Sequence, residues 1–67
     1  MDTALLKLCM KQQGVTIKKA ASELGIDEST YYRKMSTLGE TFSIAQAKTL
    51  ASLLNMTKED AIKIFLS

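Results

Sequence analysis

Few residues in this chain of 67 are equipped for chemistry on a substrate. It has no histidine. The usual general base near neutral pH, the Ser-His and Cys-His nucleophile pairs and the commonest metal ligand are therefore missing. A single cysteine, Cys9, can neither close an internal disulfide nor build a thiolate cluster. On an apolar stripe it reads as a buried thiol without a chemical role. The neighbouring carboxylates Glu59 and Asp60 read as helix-start charges rather than an acid–base pair. Catalysis is not expected, nor is a cofactor or a metal.

What remains is the chemistry of recognition. The stretch from Ile17 to Met35 carries Lys18, Lys19, Arg33 and Lys34 as cations and Glu23, Asp27 and Glu28 as anions, with the hydroxyls of Ser29 and Tyr32. Thr16 precedes it, and Ser36 and Thr37 follow. The formal net charge is +2, from nine basic and seven acidic residues. Its distribution says more than its size. Residues 1–39 hold six cations against four carboxylates, and residues 40–67 hold three of each. The whole excess lies in the N-terminal part, although +2 alone does not announce a nucleic-acid partner.

These side chains need elements to position them, and the pattern predicts helices. There is no proline, and apolar residues recur at helical spacing rather than in strand alternation. In the first segment Leu5, Leu8 and Cys9 share a face, with Leu6 and Met10 beside it, and Gly14 ends the run. Thr16 is a suitable N-cap for a second segment with Ile17, Ala20, Ala21 and Leu24 on one side, stopped by Gly25. Asp27 opens a third, with Ile26 placed as a hydrophobic staple against Tyr31, and Tyr31 with Met35 as its apolar face. A loop is expected through Ser36, Thr37, Gly39 and Glu40. Ser43 and Gln46 form a capping-box pair for the fourth segment, whose stripe is Ile44, Ala47, Leu50, Ala51 and Leu54. Asn55 and Met56 make the next turn, Thr57 with Asp60 repeats the capping logic, and the last helix carries Ala61, Ile62, Phe65 and Leu66.

Segments two and three are joined by only three residues, Gly25-Ile26-Asp27, a helix-turn-helix spacing. Ala21 is small where the helices would cross, and Gly25 permits the positive φ of a steep reversal. With Tyr31 and Met35 held from beneath, the second helix of the pair presents Glu28, Ser29, Tyr32, Arg33 and Ser36.

At these residues the chain resembles the Cro and lambda-repressor-like (XRE) family of small phage and bacterial transcription regulators. The shared pattern is Ala-x-x-x-Gly with apolar residues one and six positions after the glycine, here Ala21, Gly25, Ile26 and Tyr31. Leu24 to Met35 looks like the family's recognition-helix region, and Phe42 to Thr57 like its fourth helix and exit. The resemblance spans essentially the whole chain as one domain, residues 1–67, and implies an all-α bundle of about five short helices.

It also implies a Cro-like repressor reading the major groove of a double-stranded DNA operator with the helix around residues 28–36. Carried over by position, Glu28, Ser29, Tyr32 and Arg33 would read bases. Arg33 suits guanine O6 and N7, Glu28 suits cytosine N4, and Tyr32 suits a thymine methyl. Thr16, Lys18, Lys19, Lys34, Ser36 and Thr37 would meet phosphates. A homodimer on a two-fold operator and a bacterial cytoplasm, with a phage-encoded origin, belong to the same implication.

Alternatives stay open on three points. Asp27 and Glu28 favour the helix N-terminus but oppose a phosphate backbone, so Glu28 reads equally as a dipole-stabilising residue. The same charges fit a modulator or antirepressor that keeps the fold and binds another regulator protein instead of DNA. Ile62, Ile64, Phe65 and Leu66 crowd the last helix, either as a buried terminal helix or as a dimer interface through Ile62, Phe65 and Leu66. No apolar run approaches the roughly 18–20 residues that span a bilayer, and no cleavage pattern follows Asp2; an intracellular chain without a membrane partner is expected.

Overall fold

Helix ends in this chain are set by single residues. In the computed structural model, which describes residues 1–36 and 42–66, five helices follow in order. They are α1 (Thr3–Gln13), α2 (Ile17–Leu24), α3 (Glu28–Ser36), α4 (Ile44–Leu53) and α5 (Lys58–Phe65). There is no strand among the described residues, and the fold is an all-α bundle. No described helix is long and apolar enough to cross a membrane.

Every helix starts on a side-chain oxygen that takes an otherwise unpaired N–H of the first turn. Asp2 Oδ1 accepts from the Leu5 N–H at 3.0 Å, Thr16 Oγ1 from Lys19 at 3.1 Å and Asp27 Oδ1 from Thr30 at 2.7 Å. At α4 the expected capping box closes in both directions, with the Ser43 N–H donating to Gln46 Oε1 at 2.9 Å and the Gln46 N–H to Ser43 Oγ at 3.1 Å. Thr57 caps α5 by accepting from the Asp60 N–H at 3.1 Å.

Three helices end in one way. The Ile26 N–H reaches back to the Ala21 carbonyl at 3.0 Å and the Gly25 N–H to Ser22 at 3.1 Å, with Gly25 at φ +69°. This is a Schellman closure, and it needs a residue that tolerates the left-handed region. Gly14 and Asn55 close α1 and α4 with the same bond pattern. Asn55 also donates through Nδ2 to Gln13 Oε1 at 3.1 Å, tying the two closures together.

Packing follows from these ends. α2 lies on α3 and α4, while α5 lies on α1 and α4. The core is Leu6, Met10, Ala20, Ala21, Tyr31, Met35, Phe42, Leu50, Leu54 and Ile64. Tyr31 is at its centre, fully enclosed, and its hydroxyl donates to Met10 Sδ at 3.2 Å. The Tyr31 and Phe42 rings are 5.3 Å apart, and Phe65 meets Phe42 edge-on at 6.4 Å. Burying each large apolar side chain contributes about 1.5–3 kcal/mol. The i,i+4 pair Lys19–Glu23, mostly in solvent, adds at most about 0.5 kcal/mol. Apolar packing, not ion pairing, holds the fold.

Two expected faces turn out rotated, on α1 and α5, and the one on α4 is left uncovered at its start. On α1 the core takes Leu6 and Met10, with Leu5 and Cys9 on its flanks, and Leu8 is exposed. Met10 must meet the Tyr31 hydroxyl, and its partner one turn back, Leu6, goes in with it. On α4 the stripe sinks Leu50 and Leu54, whereas Ile44, at the first helical position, stands 79% exposed. On α5 the buried residue is Ile64; Phe65 is half-buried and Ile62 and Leu66 are open. The expected loop after α3 begins with Ser36 still inside the helix, and Thr37, Gly39 and Glu40 lie outside the described residues.

Candidate nucleic-acid interface

The turn Gly25-Ile26-Asp27 sets α3 against α2, and Tyr31 and Met35 pin α3 to the core by one side. With that side fixed, the i,i+4 rows Glu28–Tyr32–Ser36 and Ser29–Arg33 are exposed. These are the residues the sequence places on the reading face.

Their local bonding refines what each can do. Asp27 Oδ1 accepts the Thr30 N–H and, at 3.2 Å, the Ser29 hydroxyl. Hydrogen bonds from Thr30 first, then Ser29 and the field of Arg33, hold the Asp27 carboxyl below its ordinary value. The charge of Asp27 is thus taken up at the end of α3. Ser29 has spent its hydrogen on Asp27 and offers a ligand only lone pairs. Ser36 donates to the Tyr32 carbonyl at 2.8 Å and is in the same position. Tyr32, 56% exposed, presents its ring and hydroxyl to solvent.

The entrance of α2 is different. Thr16 Oγ1 accepts from the Lys19 N–H, so its own hydrogen can still be donated. Lys18 and Lys19 are both exposed there, but Lys19 Nζ is 2.9 Å from Glu23 Oε1. Lys34 is half-buried, with Nζ 5.9 Å from the centre of the Phe42 ring, a cation–π contact that turns it toward the core edge. Thr37 lies outside the described residues.

A groove of about 350 Å³ brings some of these together with residues the sequence left without a role. Thr16 and Ile17 form one wall, Tyr32, Met35 and Ser36 another, and Lys7 and Lys11 of α1 the third. Both lysines are exposed and lie one turn apart. Their spacing shows a shared helix face, but only the reversal at Gly14 turns that face toward α3. Glu28, Ser29, Arg33, Lys18 and Lys19 do not line the groove. Comparison with family models, with curated proteins and with solved structures found no match to this chain.

Proposed function

We propose that the chain is a sequence-specific DNA-binding regulator of the helix-turn-helix type, with α3 entering the major groove. One observation carries the reading. The side of α3 opposite Tyr31 and Met35 is an exposed row of hydrogen-bonding side chains, bordered by Thr16 and by Lys7 and Lys11. A helix held by one face and lined with hydrogen-bonding side chains on the other, with cations beside it, suits duplex recognition.

In this reading Arg33 pairs with guanine, Glu28 accepts from cytosine N4, and the ring of Tyr32 packs on a thymine methyl. The N-terminus of α2 with Thr16, Lys18 and Lys19 takes one phosphate run, and Lys7 and Lys11 take another. Ser36 adds a lone-pair contact at most, and Lys34 contributes long-range charge from its place over Phe42. Regulation is by occupancy, as a Cro-like repressor excludes polymerase or a competitor from a bacterial operator. The face at Ile62, Phe65 and Leu66, where the sequence suggests a pairing of copies, lies apart from α3 and leaves the reading face open.

Selection of bound duplexes from a random pool tests the reading. An enriched motif is expected, with a salt-dependent mobility shift. Arg33→Ala should weaken the selected site by about 1–3 kcal/mol and relax specificity at one base pair. A chain that shifts no duplex even at low salt refutes it.

A further inference from the structure

Between α4 and α5 runs an open trough of about 720 Å³. Its walls are apolar: Ile44, Ala47 and Ala51 from α4, Ile62 and Phe65 from α5, and Leu66 directly after it. Ile44 is 79% exposed, Ile62 56% and Leu66 78%, so three large aliphatic side chains, from α4, α5 and the end of α5, face water along one feature. Such a concentration marks an interaction surface more often than chance exposure does. It shares no residue with the α3 face or the groove beside it.

The charges around the trough identify the occupant. Lys48 and Lys58 are the charged residues lining it, and no described carboxylate does. Neither ammonium forms an ion pair with a described residue. We propose that the trough docks an amphipathic helix of a partner protein whose apolar stripe is flanked by carboxylates. The eight residues of α5 span about 12 Å. Partner side chains at i, i+4 and i+7 cover about 10.5 Å, so three anchors fit along the trough. The flanking carboxylates then meet Lys48 and Lys58.

Two other occupants fit less well. A second copy laid trough to trough would bring two sets of Lys48 and Lys58 to one rim, with no carboxylate from the trough lining to meet them. A small apolar anion would leave Ile44 and Leu66 largely in solvent, whereas small-molecule sites enclose most of their ligand.

The test uses the full chain and two synthetic helical peptides with one leucine stripe, flanked by glutamates in one and by lysines in the other. Fluorescence anisotropy should show the glutamate peptide binding about tenfold more tightly, as expected for two rim charge pairs. The double variant Lys48→Glu with Lys58→Glu should invert that preference. Ile62→Ser, at an exposed position, should weaken both peptides about tenfold while leaving circular dichroism and the duplex shift intact. Equal binding of the two peptides, or binding of neither, overturns the proposal. So does a concentration-dependent dimer in sedimentation that Ile62→Ser abolishes, because it assigns the face to a second copy. A chain that binds the glutamate peptide yet shifts no duplex supports this proposal while removing the DNA reading.

Discussion

Tyr31→Phe should change the sign of its effect on stability as the solution is made alkaline. Burial raises the Tyr31 phenol from its ordinary 10.0 to about 12, since the tyrosinate has no water in the core. In the unfolded chain the phenol ionises near its ordinary value. Stability from the neutral phenol is therefore complete below pH 10 and is lost as pH rises toward the folded pKa. Two units of difference correspond to about 2.7 kcal/mol at the limit, and about half of that is already gone near pH 11. At neutral pH the variant forfeits only the hydroxyl bond to Met10 Sδ, a cost of about 0.5–1 kcal/mol. The wild type is thus the more stable protein at pH 7 and the variant at pH 11, with the curves crossing between about 10 and 11. Urea unfolding of both proteins at several pH values measures the difference directly, and the lysines, common to both, cancel. The chain has two tyrosines and no tryptophan. In a Tyr32→Phe background, tyrosinate absorbance therefore reports Tyr31 alone. A stability difference that stays constant from pH 7 to pH 11 refutes the argument.

Two further outcomes are expected. Lys7→Gln and Lys11→Gln should each weaken all duplexes alike and flatten the plot of log affinity against log salt by about 0.9, if each lysine neutralises one phosphate; a binding isotherm series in salt checks this, and an unchanged slope removes α1 from the interface. Asp27→Asn keeps a capping oxygen but loses the charge. Because the folded Asp27 carboxyl titrates below 3.8, its contribution is present above that pH and lost as acid takes the solution through the lower folded value. The stability gap between wild type and variant should shrink from pH 6 to pH 2 in urea melts, and a gap that does not shrink refutes the assignment.

Which parts of this molecule can be read in advance depends on how local their causes are. The Ser43–Gln46 box, the caps at Thr16 and Thr57 and the reversal at Gly25 each involve residues within one turn of one another, and each forms as its spacing predicts. Tyr31 is also legible, because the staple position after Ile26 forces it inward. The face of α1 is not. Leu5, Leu6, Leu8, Cys9 and Met10 surround much of that helix, so periodicity admits more than one orientation. The choice belongs to a residue 21 positions away, whose hydroxyl takes Met10 Sδ. Lys7 and Lys11 are hidden for a related reason: that they share a groove with Tyr32 is set by tertiary packing and not by the spacing within α1. The openness of Ile44, Ile62 and Leu66 is likewise tertiary, since a stripe gives the direction of a face but not whether anything covers its ends.

The low net charge looks like an obstacle to binding DNA, but it is the wrong quantity to weigh. At physiological salt a phosphate feels charges within about 8 Å, so the residues bordering α3 matter more than the total over the chain. There the ledger is rearranged by structure. Asp27 is engaged by the N–H of Thr30 and the hydroxyl of Ser29 at the positive end of a helix, which offsets about half a charge. Lys19 is drawn toward Glu23 and Lys34 toward the Phe42 ring. Lys7, Lys11, Lys18 and Arg33 are exposed around the α3 face, and Glu28 is an exposed carboxylate among them. That combination favours phosphate approach from the sides while leaving one carboxylate at the tip of α3. A carboxylate in that place repels any duplex that cannot offer it a donor. If the proposed DNA reading holds, Glu28 would lower affinity for most sequences and raise the premium on a correctly placed cytosine, so that a weakly charged domain would gain specificity without gaining strength.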